Sequence, residues 1–152
     1  MIRNIAEQRL LRSGVIIPHV LSGDPLRIVV ESYPGAIAKR LVKVRSYKSD
    51  TQHKQTIGHL QVRLEILAKL KDYAAAQQGL KIHGNESLCQ DSGGDHLDAL
   101  LCAVQVARFW TMRDKGFGAP ANLITSEGWI ADPAVTETHQ QLKFAEAAPC
   151  SP

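Results

Sequence analysis

The sequence predicts an α/β fold whose sheet has too few strands to be complete. Strand-like and helix-like segments alternate along the 152 residues, an order typical of helices packed on a mixed or parallel sheet. The best strand is residues 26–32 (LRIVVES), because Ile28, Val29 and Val30 form an apolar β-branched run that suits a strand covered on both faces. Hydrophobic residues make up 44% of the chain, which is enough for the core of one domain.

The segments before this strand are a helix, an edge segment and a turn. Residues 3–13 form a short amphipathic pattern that Gly14 ends. Residues 15–20 are apolar but contain a proline, which indicates an edge segment or a loop. Residues 22–25 (SGDP) predict a turn. The side chains of the first helix that are expected to face inward are Ile5, Leu10 and Leu11.

Three further helices follow the strand. Residues 36–42 can begin a short helix, and a longer one is predicted over 56–78, with Gly79 as its stop. Residues 95–110 predict a buried helix, because their apolar side chains form a broad stripe. The long helix is expected to bury Ile57, Leu60, Leu64, Leu67 and Lys71, and the last helix Leu97, Leu100, Leu101, Val104 and Ala107.

The end of the chain is expected to add little to the core. Residues 113–121 read as a Gly/Pro loop, and residues 127–130 (EGWI) as a short strand. Residues 135–152 contain few side chains to bury, which predicts a poorly packed tail. We therefore expect one domain over residues 1–134, followed by this tail.

Composition restricts the environment of the protein. The net charge of +3 is too small to indicate a partner by itself. The three cysteines are odd in number and widely spaced, so they predict neither a disulfide framework nor a zinc site, and they suit a reducing cytoplasm. A signal-peptide pattern is not visible, and no apolar run reaches the roughly 18–20 residues that a membrane span needs. We expect a cytoplasmic protein without a membrane partner.

Three acidic residues predict a divalent-metal site. Glu31 lies at the carboxyl end of the best strand, where ligand crevices of open α/β sheets form. Asp95 and Asp98 are three positions apart at the start of the last helix, which puts both on one face. Mg²⁺ and Mn²⁺ prefer such oxygen ligands, and two ions about 4 Å apart cleave phosphate esters well.

Each acid also has an ordinary explanation. Asp95 can cap the helix, and acidic residues in a first turn complement the helix dipole. Glu31 can be a half-exposed strand residue or an ion-pair partner. Asp98 is harder to explain in this way, because it lies inside an apolar segment. The basic stretch 39–54 either binds phosphates or is a solvated surface, and the solvated surface is the more common case for a charge run.

The motifs V-V-E-S-Y-P-G, Y-K in a basic loop, D-H-L-D-A-L-L-C-A and E-G-W-I occur in this order between residues 3 and 133. Together they resemble the domain of unknown function 429 family, which is regarded as predicted nucleases with a ribonuclease-H-like fold. The D-x-x-D-A-L helix is also similar to the last catalytic helix of Holliday-junction resolvases. The resemblance implies an incomplete ribonuclease-H-like fold, with a mixed sheet and helices packed on it.

The resemblance also implies roles for particular residues. Glu31 matches the acid of the inner strand, Asp98 the acid of the final helix, and Asp95 its neighbour, so these three would bind Mg²⁺ or Mn²⁺ and act in catalysis. Lys48 and Arg63 match basic positions that would face the phosphate backbone of the substrate. A closing segment matches Glu127, Gly128 and Trp129.

One departure from the family pattern is large. Such folds open with strands that carry a catalytic aspartate, and no aspartate precedes Asp24 in this sequence. We therefore expect the first strands to be missing and nuclease activity to be weak or absent in this chain alone.

Three hypotheses remain open at this stage. The first is a metal-dependent nuclease. The second is a non-catalytic remnant of the same fold that binds nucleic acid or a protein, including a second copy through an exposed sheet edge. The third is an unrelated helical domain.

Overall fold

The structure is a computed structural model, and it describes residues 2–17, 22–43, 45–49, 51, 54–119 and 130. The helices and strands of these residues agree with the predicted α/β class at its coarsest level. The elements are α1 (Ile2–Arg12), β1 (Val15–Ile16), β2 (Asp24–Ile28), α2 (Pro34–Val42), α3 (Ile57–Gln78) and α4 (Asp95–Thr111), with 3₁₀ turns at Glu86–Cys89 and Arg113–Gly118. The chain divides into two compact units. The first contains the residues up to Ser32 and from Phe109 onward, and the second is Tyr33–Arg108.

The sheet of the first unit is a parallel pair of strands. β1 pairs with β2 in an irregular register, in which Val15 lies opposite Asp24 and Ile16 opposite Ile28. β2 begins two residues before the predicted strand and ends four residues earlier, so it includes the second half of the predicted turn. Leu26 is 86% exposed, so the expectation of a strand covered on both faces is wrong at this position. The edge-segment interpretation of residues 15–20 holds for β1, and the rest of that segment lies outside the described residues.

α1 ends as its sequence predicts. Gly14 has a φ of +74°, and its N–H donates to the carbonyl oxygen of Leu11, 3.0 Å away. A left-handed residue of this kind is the usual end of a helix, and glycine adopts it without strain. Leu10 and Leu11 are half-buried as expected. Ile5 is 51% exposed, so its predicted inward orientation is wrong.

Two stacked aromatic rings and two aliphatic side chains form a small core in the first unit. The rings of Phe109 and Phe117 stack at 6.3 Å, and Ile28 and Val30 pack against them. Arg113–Gly118, predicted as loop, contains 3₁₀ turns instead. Of the predicted closing strand only Ile130 is described. The rest of that strand, Glu127, Gly128 and Trp129, and the predicted tail over 135–152 lie outside the described residues.

α3 has the predicted length and ends. Its N-cap is Thr56, whose side chain accepts the N–H of His59, while the His59 side chain accepts the N–H of Thr56. This reciprocal pair satisfies two amides that a helix start leaves unpaired. At the other end, Gly79 takes the left-handed conformation with a φ of +64°. The predicted stop is confirmed.

The buried face of α3 differs from the predicted one. Leu67 is buried as expected, and Leu60 and Leu64 are partly buried against the core. Ile57 is 72% exposed, which contradicts the prediction. The buried side chains are Val62, Arg63, Ile66, Leu67, Leu70 and Ala74. The buried face of α3 therefore includes Arg63 and excludes Ile57.

α4 completes the core of the second unit. Leu97, Leu101 and Val104 are buried, which confirms the centre of the predicted apolar stripe. Gln105 is buried as well, and its side-chain amide forms two hydrogen bonds with the backbone of Tyr33 at the start of α2: Oε1 accepts the N–H at 3.0 Å, and Nε2 donates to the carbonyl at 3.1 Å. These bonds fix α2 against α4. Of the helices in the described residues, none combines the length and the apolar character needed to cross a bilayer.

Candidate functional site

Asp91 organises the start of α4. Its Oδ2 accepts the backbone N–H of Asp95 at 2.7 Å and of His96 at 3.2 Å, and its Oδ1 accepts the N–H of Gly93 at 3.1 Å. The hydrogen bond from the His96 amide is the largest cause that holds the pKa of Asp91 below its usual value. Asp91, and not Asp95, therefore supplies the capping carboxylate. This leaves the exposed side chain of Asp95 at the first position of the helix.

Gly94 lets the basic loop approach the start of the helix. It is buried, has a φ of +77°, and a Cβ placed there would lie 3.1 Å from Cδ of Lys48 and 3.5 Å from the Tyr47 ring. Any larger residue would meet both the conformational strain of positive φ and this contact. The Gly-Gly-Asp sequence thus packs loop 45–49 against the first turn of α4.

The central contact of the site is made by Asp98. The Tyr47 hydroxyl donates to Oδ1 at 2.7 Å, and Nζ of Lys48 donates to Oδ2 at 2.6 Å. The side chains of Lys48 and Asp98 are 32% and 18% exposed, so this ion pair is partly removed from water. Burial, and then the hydrogen bond to Asp98, raise the pKa of Tyr47 well above its usual value. Tyr47 is therefore a neutral hydroxyl donor across the ordinary pH range.

Arg63 anchors the loop that carries Tyr47 and Lys48. Its guanidinium donates from Nε to the carbonyl of Cys89 and from Nη1 to the carbonyl of Tyr47, both at 2.8 Å. The residue is only 4% exposed. Burial raises the pKa of the adjacent Cys89 thiol. In this position the guanidinium holds loop 45–49 and the 3₁₀ turn together, a structural role that the sequence did not reveal.

The remaining basic residues of the stretch 39–54 lie mainly at the surface. Arg45 pairs with Glu65 at 2.6 Å, and Lys69 pairs with the same carboxylate at 2.8 Å. Both cations also donate to carbonyls at the end of α2, those of Val42 and Leu41 respectively. The solvated-surface interpretation therefore fits this part of the stretch, whereas the ammonium group of Lys48 pairs with a predicted site residue, Asp98.

The structure brings together only part of the predicted site. Asp98 and Lys48 are in direct contact, and Asp95 lies one helical turn before Asp98 on the same helix. Glu31 is exposed, belongs to the first unit, and pairs with Ile130 in an isolated parallel bridge. Its predicted meeting with Asp95 and Asp98 stays a prediction.

A divalent cation needs several oxygen, nitrogen or sulfur ligands that meet at one point. In the part of the chain that the structure describes, no group of three His, Cys, Asp or Glu side chains is arranged to hold a metal ion. Mg²⁺, however, is commonly bound by one or two carboxylates together with water molecules and substrate phosphates. Asp95 and Asp98 would supply two hard-oxygen side chains to such an arrangement, and Asp98 is already paired with the ammonium of Lys48.

Comparisons with known proteins add no relative to this description. The chain matches no family model, no curated protein and no solved structure.

Proposed function

We propose that this protein is a divalent-metal-dependent nuclease of ribonuclease-H-like type whose site is centred on Asp98. Asp95 and Glu31 are the other proposed carboxylates, and Mg²⁺ or Mn²⁺ is the proposed cofactor. The substrate is proposed to be a phosphodiester of DNA or RNA. The observation that carries this proposal is the partly buried carboxylate of Asp98 on α4, which Tyr47 and Lys48 hold by two hydrogen bonds.

The energetics of Asp98 support a functional role. A charged side chain is costly to remove from water unless it is paired and hydrogen-bonded, and here two separate donors serve one carboxylate. Helix α4 would be simpler to bury with an apolar residue at this position. The retained charge is most useful where a cation and an anionic substrate must meet.

Each side chain has a defined task in this proposal. Asp98 and Asp95 would hold the cation, and Tyr47 would fix the orientation of the Asp98 carboxylate. Lys48 would bind a non-bridging phosphate oxygen. A bound divalent cation would supply an activated water and would stabilise the leaving oxygen. Arg63 keeps its structural position behind the loop and orients Tyr47 and Lys48 from there.

A second candidate function is a non-catalytic binding module of the same fold. It is favoured by one specific observation: each oxygen of Asp98 already accepts a hydrogen bond from the protein, Oδ1 from Tyr47 and Oδ2 from Lys48, so the charge of this carboxylate has a partner within the chain. In that case nucleic acid would bind through exposed cations such as Lys39, Lys43 and Lys54, and its affinity would fall steeply with salt.

A nuclease assay with matched variants separates the two functions. Single- and double-stranded DNA and RNA are incubated with the protein and Mn²⁺, Mg²⁺ or chelator. The nuclease proposal predicts slow, metal-dependent cleavage that Asp98→Asn reduces at least 100-fold, about the size of effect seen when a group that stabilises transition-state charge is lost. Asp72→Asn, which changes an exposed acid on α3, should retain full activity. Salt-sensitive binding without cleavage by the wild type would instead select the binding module.

A further inference from the structure

We propose that a basic surface formed by the end of α2 and the middle of α3 binds the sugar–phosphate backbone of nucleic acid. Four exposed cations define this basic surface: Lys39, Lys43, Arg45 and Lys69. The inference rests on the proposed function, because it gives the substrate a binding surface in the same compact unit as Asp98. It assigns backbone binding to residues that have no task in the proposed chemistry.

A single carboxylate orders two of these cations. Nη2 of Arg45 lies 2.6 Å and Nζ of Lys69 lies 2.8 Å from the same oxygen, Oε1 of Glu65. Each cation is also fixed to the end of α2. Nε of Arg45 donates to the carbonyl of Val42 at 3.3 Å, and Nζ of Lys69 donates to the carbonyl of Leu41 at 3.0 Å. The two cations are therefore held side by side at the surface, which reduces the entropy that is lost when both bind one polyanion.

The positive charge of the basic surface is larger than the end of a helix requires. The C-terminal end of a helix carries about half a negative charge, and Glu65 adds one more. Arg45 and Lys69 already exceed this sum. Lys39 and Lys43 then add two exposed cations one helical turn apart, a spacing at which like charges destabilise a helix. The surplus of about two and a half positive charges is one that a phosphodiester backbone would neutralise.

The backbone at Lys43 indicates that this charge is kept at a cost to stability. Lys43 ends α2 with a φ of +61° and a ψ of −133°. Side chains rarely adopt positive φ, whereas glycine does so without strain and is the usual residue at a helix end. Because the Lys43 side chain is exposed, packing does not explain a lysine at this position. Binding of an anion does explain it.

The chemistry of the basic surface favours a phosphate backbone over a lipid or protein partner. The exposed large apolar side chains of the described residues lie outside α2 and outside the middle of α3, whereas membrane-binding surfaces and protein interfaces usually contain such side chains. The position fits the proposed function as well. Arg45 precedes Lys48, the partner of Asp98, by three residues, and three residues span at most about 11 Å. Nucleic acid bound here therefore lies near Asp98.

Nucleic-acid binding in the presence of chelator tests the basic surface without any measurement of cleavage. Short fluorescein-labelled DNA and RNA, each as duplex and as single strand, are titrated with the full chain and followed by fluorescence anisotropy at several salt concentrations. For a duplex, each phosphate contact contributes about −0.9 to the slope of log affinity against log salt concentration, or about eightfold in affinity near 0.1 M salt. We expect Lys39→Gln and Lys43→Gly each to weaken binding by roughly this factor and to make the slope shallower.

Two further variants complete the set. Glu65→Gln removes the acid of the basic surface and should tighten binding by about twofold or more, because the net positive charge rises. Lys81→Gln removes an exposed lysine beyond the end of α3 and should stay within about twofold of the wild type. Lys43→Gly should raise the midpoint of urea denaturation while it weakens binding, since glycine relieves the strain. A lower midpoint would overturn the strain argument, and Lys39→Gln, which leaves the helix end unchanged, would then decide the binding.

The outcomes distinguish this inference from the proposed function. Equal affinity and equal salt dependence of the wild type, Lys39→Gln and Lys43→Gly overturn the inference, and metal-dependent cleavage by the same protein leaves the nuclease with its substrate bound elsewhere. A wild type that neither binds nor cleaves nucleic acid overturns both. Binding to phosphatidylserine vesicles or to polyglutamate, without binding to nucleic acid, overturns the inference and assigns the basic surface to a lipid or to an acidic protein.

Discussion

Replacement of Arg63 by alanine should destabilise the protein strongly. The substitution removes both hydrogen bonds of a guanidinium that is 4% exposed, those to the carbonyls of Cys89 and Tyr47. A buried acceptor left without a partner costs about 1–3 kcal/mol. With one buried and one partly buried acceptor and the loss of a packed aliphatic stem, we expect the free energy of unfolding to fall by about 3 kcal/mol. This is a large part of the roughly 5–15 kcal/mol that stabilises a typical domain.

Urea denaturation followed by circular dichroism measures this loss. Arg63→Lys keeps the charge but cannot reach both carbonyls with a single ammonium group, so it should give an intermediate value. Gln61→Ala changes an exposed residue of the same helix and should alter the free energy by less than about 0.5 kcal/mol. A loss below about 1 kcal/mol for Arg63→Ala would refute the view that this arginine anchors the loop.

Three further predictions concern titration and helix capping. Asp91→Ala should speed hydrogen exchange of the Gly93, Asp95 and His96 amides, because each loses its acceptor; Ser92→Ala, which alters an exposed neighbour, serves as the control, and unchanged exchange would contradict the capping assignment. The raised pKa of Tyr47 contributes stability that is present below pH about 10, the usual value, and is lost as the pH rises through the folded pKa. Tyr47→Phe should therefore flatten the alkaline loss of stability in denaturation experiments, and an identical alkaline slope would contradict this. Arg45 and then Lys69 lower the pKa of Glu65 from 4.5 to about 2. Its contribution is present above pH 4.5 and is lost as the pH falls toward 2. Because Arg45 and Lys69 are exposed and Glu65 is only partly buried, salt screens these ion pairs. Glu65→Gln should therefore remove a small acid-induced loss that is visible at low ionic strength, and equal acid profiles would be evidence against it.

The helices were largely predictable because their signals are local. Gly14 and Gly79 end helices in the left-handed conformation, and each is identified by residue type and position alone. The stripe of α4 was also recovered, since Leu97 and Leu101 follow helical spacing in a strongly apolar segment. Such features depend on neighbours three or four positions away, which the sequence shows directly.

The errors arose where distant contacts decide burial. Arg63 was expected at a phosphate-binding surface, yet it is buried because two backbone carbonyls from separate segments accept its protons. The face of α3 was therefore assigned too far toward Ile57. No periodicity in the sequence reports the carbonyls that an arginine will meet.

In the candidate site, too, local signals were predictable and distant contacts were not. The position of Asp98 inside an apolar helix was a usable signal, and it proved to be the centre of a cluster. Asp91 was missed, although an aspartate two residues before a glycine pair is a known signal for a turn and a helix start. Tyr47 contacts Asp98 although the two residues are 51 positions apart in the sequence. Local sequence patterns do not encode a contact over this distance.

The structure of a Mn²⁺-soaked crystal, with the ion located by its anomalous scattering, shows directly whether Asp98 binds a metal ion. We predict an ion about 2.1 Å from a carboxylate oxygen of Asp98, a distance usual for small hard cations. We also predict that Asp95 is within reach of the ion or of its water ligands. A crystal that binds no ion at Asp98, with Lys48 and Tyr47 still on its two oxygens, would contradict the proposed metal site.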